Sequence, residues 1–150
     1  MTFNIGFENE VHIDRKSETT SRKGIITIGG FREGFLSLQS FWNAAQYESH
    51  WRTAIGRILN SDVTSCLITS IADPSQTQLL FWWPLYREGN YIYLQNGILF
   101  FAQSQLPFDP DDPFASVPPR TMIDDDGRRI LEWKLNVRDL EAFLGRHRPG

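Results

Sequence analysis

Residues 79–101, LLFWWPLYREGNYIYLQNGILFF, contain two apolar, aromatic runs separated by the polar segment 87–90. A short polar break between two such runs is typical of a β-hairpin at the centre of a core. The stretch holds two of the five Trp and three of the four Tyr, but no His or Cys, and its only acid is Glu88. Pro84 cannot donate a ladder hydrogen bond, so it predicts an edge, a bulge or a strand end. This hairpin is suited to packing, and the residues that carry function should lie elsewhere.

The chain before this hairpin predicts a strand, a loop and one long helix. Residues 3–13 alternate between apolar and polar side chains, which indicates a strand with one solvated face, broken near Asn9. Residues 14–24 are charged and hydroxylated, which favours an exposed loop. A main helix over about 44–59 is predicted with Asn43 as its N-cap and Gln46 as the capping-box partner. The side chains that recur at helical spacing and should share its buried face are Tyr47, Trp51, Ile55, Ile58 and Leu59.

The chain after the hairpin changes character. Residues 104–120 contain five prolines and three aspartates, which predicts a long acidic, proline-rich loop without regular structure. Residues 120–135 predict a second hairpin with a type I′ turn at Asp-Gly. A short C-terminal helix should follow over 137–146, and the tail 146–150 should be frayed.

Length and element order together predict the fold class. One hundred and fifty residues fit a single domain spanning residues 1–150. Hairpin connections favour an antiparallel β-sheet, with the main helix and the short C-terminal helix packed against it. The predicted fold class is therefore α+β.

Composition narrows the compartment and the class of partner. The net charge of −3 argues against a chain that is basic overall and binds nucleic acid. The single cysteine, Cys66, excludes an internal disulfide, and its apolar neighbours indicate a small buried thiol. The first residues show no secretory signal, and no apolar stretch reaches membrane-spanning length. We therefore expect a cytoplasmic protein.

The residues that usually carry catalysis or bind cofactors form no recognisable motif. His12, His50 and His147 are scattered without metal-ligand spacing, and His50 should lie on the solvated face of the main helix. The glycines match neither the dinucleotide nor the phosphate-loop pattern, and no serine sits in a Gly-x-Ser-x-Gly elbow. The sequence therefore predicts no catalytic residue, no metal site and no cofactor.

Negative charge is concentrated in one part of the chain. Between residues 105 and 127 there are six acids and one base, Arg120, so this segment carries −5 and the remainder of the chain +2. Three acids lie in the predicted loop and three at the tip of the second predicted hairpin, namely Asp109, Asp111, Asp112, Asp124, Asp125 and Asp126.

Four interpretations of these aspartates remain open. A calcium site would use carboxylate oxygens, but the glycine and distal glutamate of the EF-hand pattern are missing. A paired-carboxylate hydrolase needs one acid in an apolar pocket, whereas aspartates on loops are normally hydrated. A third interpretation is a solvated surface with turn-forming aspartates. The fourth is a binding patch that attracts a basic protein partner and raises the association rate.

The order of several motifs along the chain resembles the immunity proteins of bacterial contact-dependent growth inhibition systems. The resemblance extends from about residue 33 to residue 145, and FWWPLYR beside the turn in LITSIADP is its most specific part. The motifs that carry it are FLSLQSFW (35–42), YESHWRTA (47–54), LITSIADP (67–74), FWWPLYR (81–87), QNGILF (95–100) and PFDP (107–110).

The resemblance implies a small cytoplasmic protein that binds the cognate C-terminal toxin domain of a delivered CdiA-type effector and neutralises it without catalysis. Such toxins are often nucleases. The shared motifs should then be scaffold, and the variable surface loops should form the interface. A small carboxylate-dependent hydrolase, or a scaffold or adaptor protein without a toxin partner, are the alternatives.

This expectation leads to a specific interface hypothesis. A nuclease must be electropositive to hold phosphates, so displayed carboxylates can imitate the nucleic-acid backbone. The predicted toxin-binding residues are Asp109, Asp111, Asp112, Asp124, Asp125 and Asp126, with Phe108 and Phe114 as possible apolar anchors. The two phenylalanines fit equally well as staples that pin the loop to the core. The strand face at 3–13 and the basic pair Arg128 and Arg129 are other surfaces that could make the contact.

Overall fold

The computed structural model describes residues 1–16, 18–60, 62–104 and 107–146, and its strands form two antiparallel sheets. The first sheet has the order β1-β2-β3, with strands β1 (Phe3–Asp14), β2 (Thr19–Ile28) and β3 (Phe31–Leu38). The second has the order β4-β5-β6-β8, with β7 also paired to β5. Its strands are β4 (Thr64–Ser70), β5 (Leu79–Glu88), β6 (Tyr91–Gln95), β7 (Gly97–Phe100) and β8 (Glu132–Asn136).

Two helices, α1 (Ala44–Leu59) and α2 (Val137–Arg146), complete the fold. The α+β class with antiparallel strands, one main helix and one short C-terminal helix is confirmed. The strands divide into two sheets where the sequence predicted one. The tail predicted to be frayed lies outside the described residues, apart from Arg146. Neither helix in the described ranges is long and apolar enough to cross a bilayer.

The central hairpin forms as the sequence predicts, with a break that Pro84 explains. Gly89 has φ +61° at the turn between β5 and β6, a conformation that glycine adopts without steric cost. β5 pairs with β6 and with β7 in one continuous register, from Glu88 opposite Tyr91 to Leu79 opposite Phe100. That register places Pro84 opposite Gln95. Because proline lacks the N–H that this pair requires, the ladder is interrupted and β6 ends there.

The main helix agrees with the prediction at both ends. Asn43 Oδ1 accepts the Gln46 N–H at 2.9 Å, and Gln46 Oε1 accepts the Asn43 N–H at 2.9 Å, which completes the capping box. One face of α1 packs between the sheets and contributes Tyr47, Trp51, Ala54, Ile55 and Ile58 to the core. The core also contains buried side chains from both sheets and from α2.

The segment 14–24 differs from its prediction as an exposed loop. Residues 19–24 belong to β2, which pairs with β1 from Thr19 opposite Asp14 and with β3 through Lys23 opposite Leu36. Of the described residues between β1 and β2, residues 15, 16 and 18 form a turn. Polar side chains on an exposed hairpin resemble a loop in composition, and the strand is held by backbone bonds to β1 and β3 that side-chain character does not reveal. The predicted break in the first strand appears as a register shift between Phe7 and Val11.

The two predictions for the later chain also need correction. The second hairpin is reduced to one bridge between Ile123 and Arg129, and β8 pairs with β6 instead of with the preceding run. β8 pairs with the larger sheet because its apolar residues pack there. Residues 121–129 are exposed and provide no buried face against which β8 could pack. In the loop 104–120, of which residues 105 and 106 lie outside the described part, Pro113–Ser116 forms one turn of 3-10 helix.

Candidate partner-binding site

The acidic loop, taken here as residues 107–120, is held against the second sheet along its length. The Tyr86 hydroxyl donates to the Pro118 carbonyl at 2.9 Å, and Gln95 Nε2 donates to the Thr121 carbonyl just beyond the loop at 3.0 Å. Pro113 and Ser116 are buried where the 3-10 turn meets β4. The backbone of this loop is therefore positioned by the scaffold although its sequence has no regular period.

Phe108 and Phe114, the predicted anchors, both point into the protein's own core. The Phe108 ring stacks on Phe101 with centroids 4.8 Å apart and planes at 13°. The Phe114 ring lies 5.9 Å from the His50 ring, and the Arg57 guanidinium carbon lies 4.2 Å from its centroid. Both rings are half-buried and pack against the core, so they position the acidic loop.

The six predicted aspartates are all exposed, and they divide by role. Asp109 Oδ1 accepts the Asp111 N–H at 2.9 Å, and Asp124 Oδ1 accepts the N–H groups of Asp126 at 3.0 Å and Arg128 at 2.9 Å. The first aspartate of each group therefore builds its own turn. Among the described residues, no hydrogen bond or ion pair engages the carboxylates of the other four, which are Asp111, Asp112, Asp125 and Asp126.

Arg120, the single base between residues 105 and 127, does not neutralise these aspartates. Its Nη2 lies 2.6 Å from Glu132 Oε1 and its Nη1 lies 3.0 Å from Glu88 Oε1. The guanidinium also covers the Tyr93 ring at 3.9 Å. The hydrogen bonds from Arg120 lower the pKa of Glu132. Among the described residues, Arg120 is thus paired with acids outside the segment and forms no ion pair with any of the six aspartates.

Within the described part of the chain, His, Cys, Asp and Glu side chains form no group of three or more that could hold a metal ion. The calcium interpretation therefore gains no support from the geometry. The hydrolase interpretation needs a carboxyl in an apolar pocket, and all six aspartates are instead in contact with solvent.

His50 was predicted on the solvated face of α1, and this prediction is wrong. The side chain is half-buried, and its Nε2 accepts the Ile68 N–H at 2.8 Å. The next residue, Trp51, donates its indole N–H to the Ile68 carbonyl at 2.8 Å. Two consecutive side chains of α1 therefore bond both the N–H and the C=O of Ile68, which face outward at the edge of β4. Burial lowers the pKa of His50 to about 3, so the ring is the neutral acceptor that this bond requires.

Sequence reasoning missed the residues that seat the loop, chiefly His50, Arg57 and Phe101. None of them belongs to a local motif, since each meets its aromatic partner only when α1 or the segment just after β7 packs beside the loop. The only available signal was the pair of phenylalanines inside an otherwise polar segment, which indicates attachment to a core without showing where.

We expect a Phe114→Ala variant to loosen the acidic loop while the fold persists. Loss of a half-buried ring and of its contact with Arg57 should reduce the free energy of unfolding by about 1–2 kcal/mol. Amide hydrogen exchange over 107–117 should become faster. Phe81→Ala is the matched control because Phe81 is 47% exposed, and it should leave exchange in the loop unchanged. Equal exchange in both variants would show that Phe114 does not hold the loop.

Comparison with known proteins agrees with this architecture. The family model described as the CdiI N-terminal domain matches residues 37–143. The immunity protein CdiI of Enterobacter cloacae subsp. cloacae is 29% identical over 118 residues, which cover 79% of this chain and 81% of that protein. A chain of the CdiA-CT/CdiI toxin and immunity complex from Enterobacter cloacae superposes with a TM-score of 0.85 at 26% identity, covering 97% of both chains. The resemblance found in the sequence is confirmed, and the protein belongs to the CdiI family of immunity proteins.

Proposed function

We propose that this protein binds the cognate C-terminal toxin domain of a CdiA-type effector and neutralises it stoichiometrically, without catalysis, in the cytoplasm of the cell that produces it. The observation that carries the proposal is the likeness over 97% of the chain, with a TM-score of 0.85, to a chain of a CdiA-CT/CdiI toxin and immunity complex. Membership of the CdiI family, over residues 37–143, supports it independently.

The direct test is protection. Cells that express the toxin domain encoded beside this protein should die, and co-expression of this protein should restore growth. The purified proteins should form a one-to-one complex by calorimetry. If the toxin domain remains lethal in the presence of folded immunity protein, the proposal is wrong, and a scaffold or adaptor role takes its place.

The proposal extends to the class of toxin, which we take to be a nuclease with an electropositive active site. Four exposed carboxylates have no partners among the described residues, and the local charge is −5. Such a surface is complementary to a toxin active site that is electropositive because it binds phosphate. The six aspartates are the proposed contacts. Phe108 and Phe114 contribute by fixing the loop that displays the first three of them.

Removing the charge should slow association. With all six aspartates changed to Asn, which retains the turn-forming side-chain oxygen, we expect the association rate at low salt to fall about tenfold to a hundredfold. The deficit should shrink at high salt, because exposed charges are screened. Stopped-flow or surface-based kinetics with the inactive toxin domain measures both effects.

A charge-matched control separates the local effect from net charge. Two triple variants, one for each group of aspartates, should be compared with a triple Glu→Gln variant at exposed positions elsewhere, namely Glu18, Glu48 and Glu141. If the control slows association as much as either aspartate triple does, the aspartates act only through overall charge and are not contacts.

A further inference from the structure

One stretch of the larger sheet leaves backbone groups uncovered. The Phe101 N–H donates to the Gln78 carbonyl at 2.9 Å, and this bond shows which alternate residues of β7 direct their backbone groups towards β5. In that phase, Ile98 and Phe100 direct their N–H and C=O groups away from β5. The same side of the preceding strand β6 is covered by β8, which pairs with Ile92 and Leu94.

β8 does not extend far enough to cover β7. It begins at Glu132, and the chain before it turns away, with the Ile130 N–H donating to the Met122 carbonyl at 2.9 Å. The Phe100 carbonyl caps the single 3-10 turn Phe101–Gln103 that follows β7. Within the described ranges, the other outward groups, which are the N–H and C=O of Ile98 and the N–H of Phe100, have no hydrogen-bond partner. Ile98 therefore offers one donor and one acceptor, and Phe100 offers one donor, to a strand that pairs with this edge.

Other edges of the same sheet are protected, which sets this one apart. The edge of β4 is covered where His50 and Trp51 bond both backbone groups of Ile68. On the far side of β8, the Asn136 N–H donates to Asp139 Oδ2 at 2.9 Å. Proteins usually protect edges in this way because an open edge recruits another strand.

The side chains beside the open edge are apolar and exposed. Phe81, Ile98 and Phe100 are 47%, 46% and 43% exposed, and Phe81 lies directly opposite Ile98 in the register. Strand alternation places Phe81 on the same face as the core residue Trp83, so this patch continues the core face of the sheet into solvent. A contiguous apolar patch next to unpaired backbone groups suits an extended polypeptide.

The charges around the edge indicate the character of that polypeptide. At the start of β7, Asn96 Nδ2 lies 3.2 Å from Glu33 Oε2. At its end, the stacking of Phe108 on Phe101 brings back the loop that carries Asp109, Asp111 and Asp112, and between residues 89 and 119 these three are the only charged side chains. The three aspartates make the end of the edge acidic, and Glu33 adds one carboxylate at its start, so a segment with basic flanks is complementary to it.

We propose that β7 accepts an extended, basic segment of the toxin domain as an added strand, placed in line with β8. This proposal rests on the proposed immunity function. It predicts that main-chain bonds to Ile98 and Phe100 provide alignment, that the apolar patch provides the central contact, and that the neighbouring aspartates provide the attraction.

The Phe100→Pro variant tests the backbone bonds directly. Phe100 has φ −95° and ψ 119°, near the range of proline, and its N–H does not belong to the ladder with β5. The substitution should therefore leave the fold intact and remove one outward donor. Phe100→Ala removes the ring and keeps the N–H. We expect Phe100→Pro to bind the inactive toxin domain about tenfold more weakly than Phe100→Ala does.

Hydrogen exchange in the wild-type protein supplies a second measurement. Binding of the toxin domain should slow exchange of the Ile98 and Phe100 amides, and circular dichroism should confirm that both variants are folded. If the wild type binds while these amides stay unprotected, or the two variants bind equally, strand addition is refuted and the immunity function stands. If the wild-type protein does not bind the toxin domain at all, both proposals fail.

Discussion

A Trp51→Ala variant should lose most of the protein's stability. Trp51 is 1% exposed, it contacts Phe7, Phe35 and Tyr47, and replacing such a side chain costs about 3–5 kcal/mol through lost burial and the cavity left behind. The Ile68 carbonyl also loses its donor, which adds about 1–3 kcal/mol for an unsatisfied group at the edge of β4. Domains of this size are stable by only about 5–15 kcal/mol, so a substantial unfolded fraction is expected at 37 °C.

Urea unfolding followed by circular dichroism measures this loss, and Trp51→Phe separates its two parts. Phenylalanine retains most of the packing and lacks the indole N–H, so it should lose about 1–3 kcal/mol. If Ala and Phe destabilise the protein equally, the hydrogen bond to Ile68 accounts for the effect and the packing argument is wrong. If neither destabilises it, Trp51 does not hold α1 against the sheets.

Acidification should weaken the protein through His50. The pKa of this side chain is about 3 in the folded protein and 6.5 ordinarily, so between these values the unfolded chain binds a proton that the folded chain does not. The free energy of unfolding should therefore be greatest above pH 6.5 and fall as the pH drops towards 3. For one proton, the slope approaches about 1.4 kcal/mol per pH unit. Protonation also removes the acceptor for the Ile68 N–H, so the edge of β4 should open in acid.

His50→Gln is the control for this prediction, because its side-chain carbonyl can accept the same bond and does not titrate. Carboxylates contribute to acid unfolding in both proteins, so the difference between their stability curves isolates His50. That difference should grow steadily from pH 6.5 to pH 4. Parallel curves over this range, or an NMR titration of His50 with a midpoint near 6.5, would contradict the buried, neutral ring.

The elements that were predicted correctly are those whose signals are local. The bounds of α1 follow from the capping box of Asn43 and Gln46 and from apolar residues at helical spacing. The central hairpin follows from two aromatic runs with a glycine between them. Pro84 also predicted an irregularity in the hairpin, which appears as the break between β6 and β7, because the lack of an N–H is a property of proline itself.

The errors arose where the pairing of backbone groups between strands, and not the character of the side chains, decides the structure. The first part of β2, residues 19–24, was predicted as part of an exposed loop because its side chains are polar, yet both neighbouring strands offer ladder bonds. β8 was predicted to pair with the run just before it, and it pairs with β6. The aspartates of the candidate site were identified by charge alone, whereas the residues that seat their loop were not.

By itself, the sequence determined the family, the two helices, the central hairpin and the concentration of negative charge, since caps, periodicity and composition are encoded within a few neighbouring residues. The tertiary structure alone decided that the strands form two sheets, that His50 faces a strand edge, that Phe108 and Phe114 turn inward and that no strand of the described residues pairs with the outer edge of β7. Each of these depends on which backbone groups find partners across the fold, and a hydrogen bond between distant residues leaves no periodic trace in the chain.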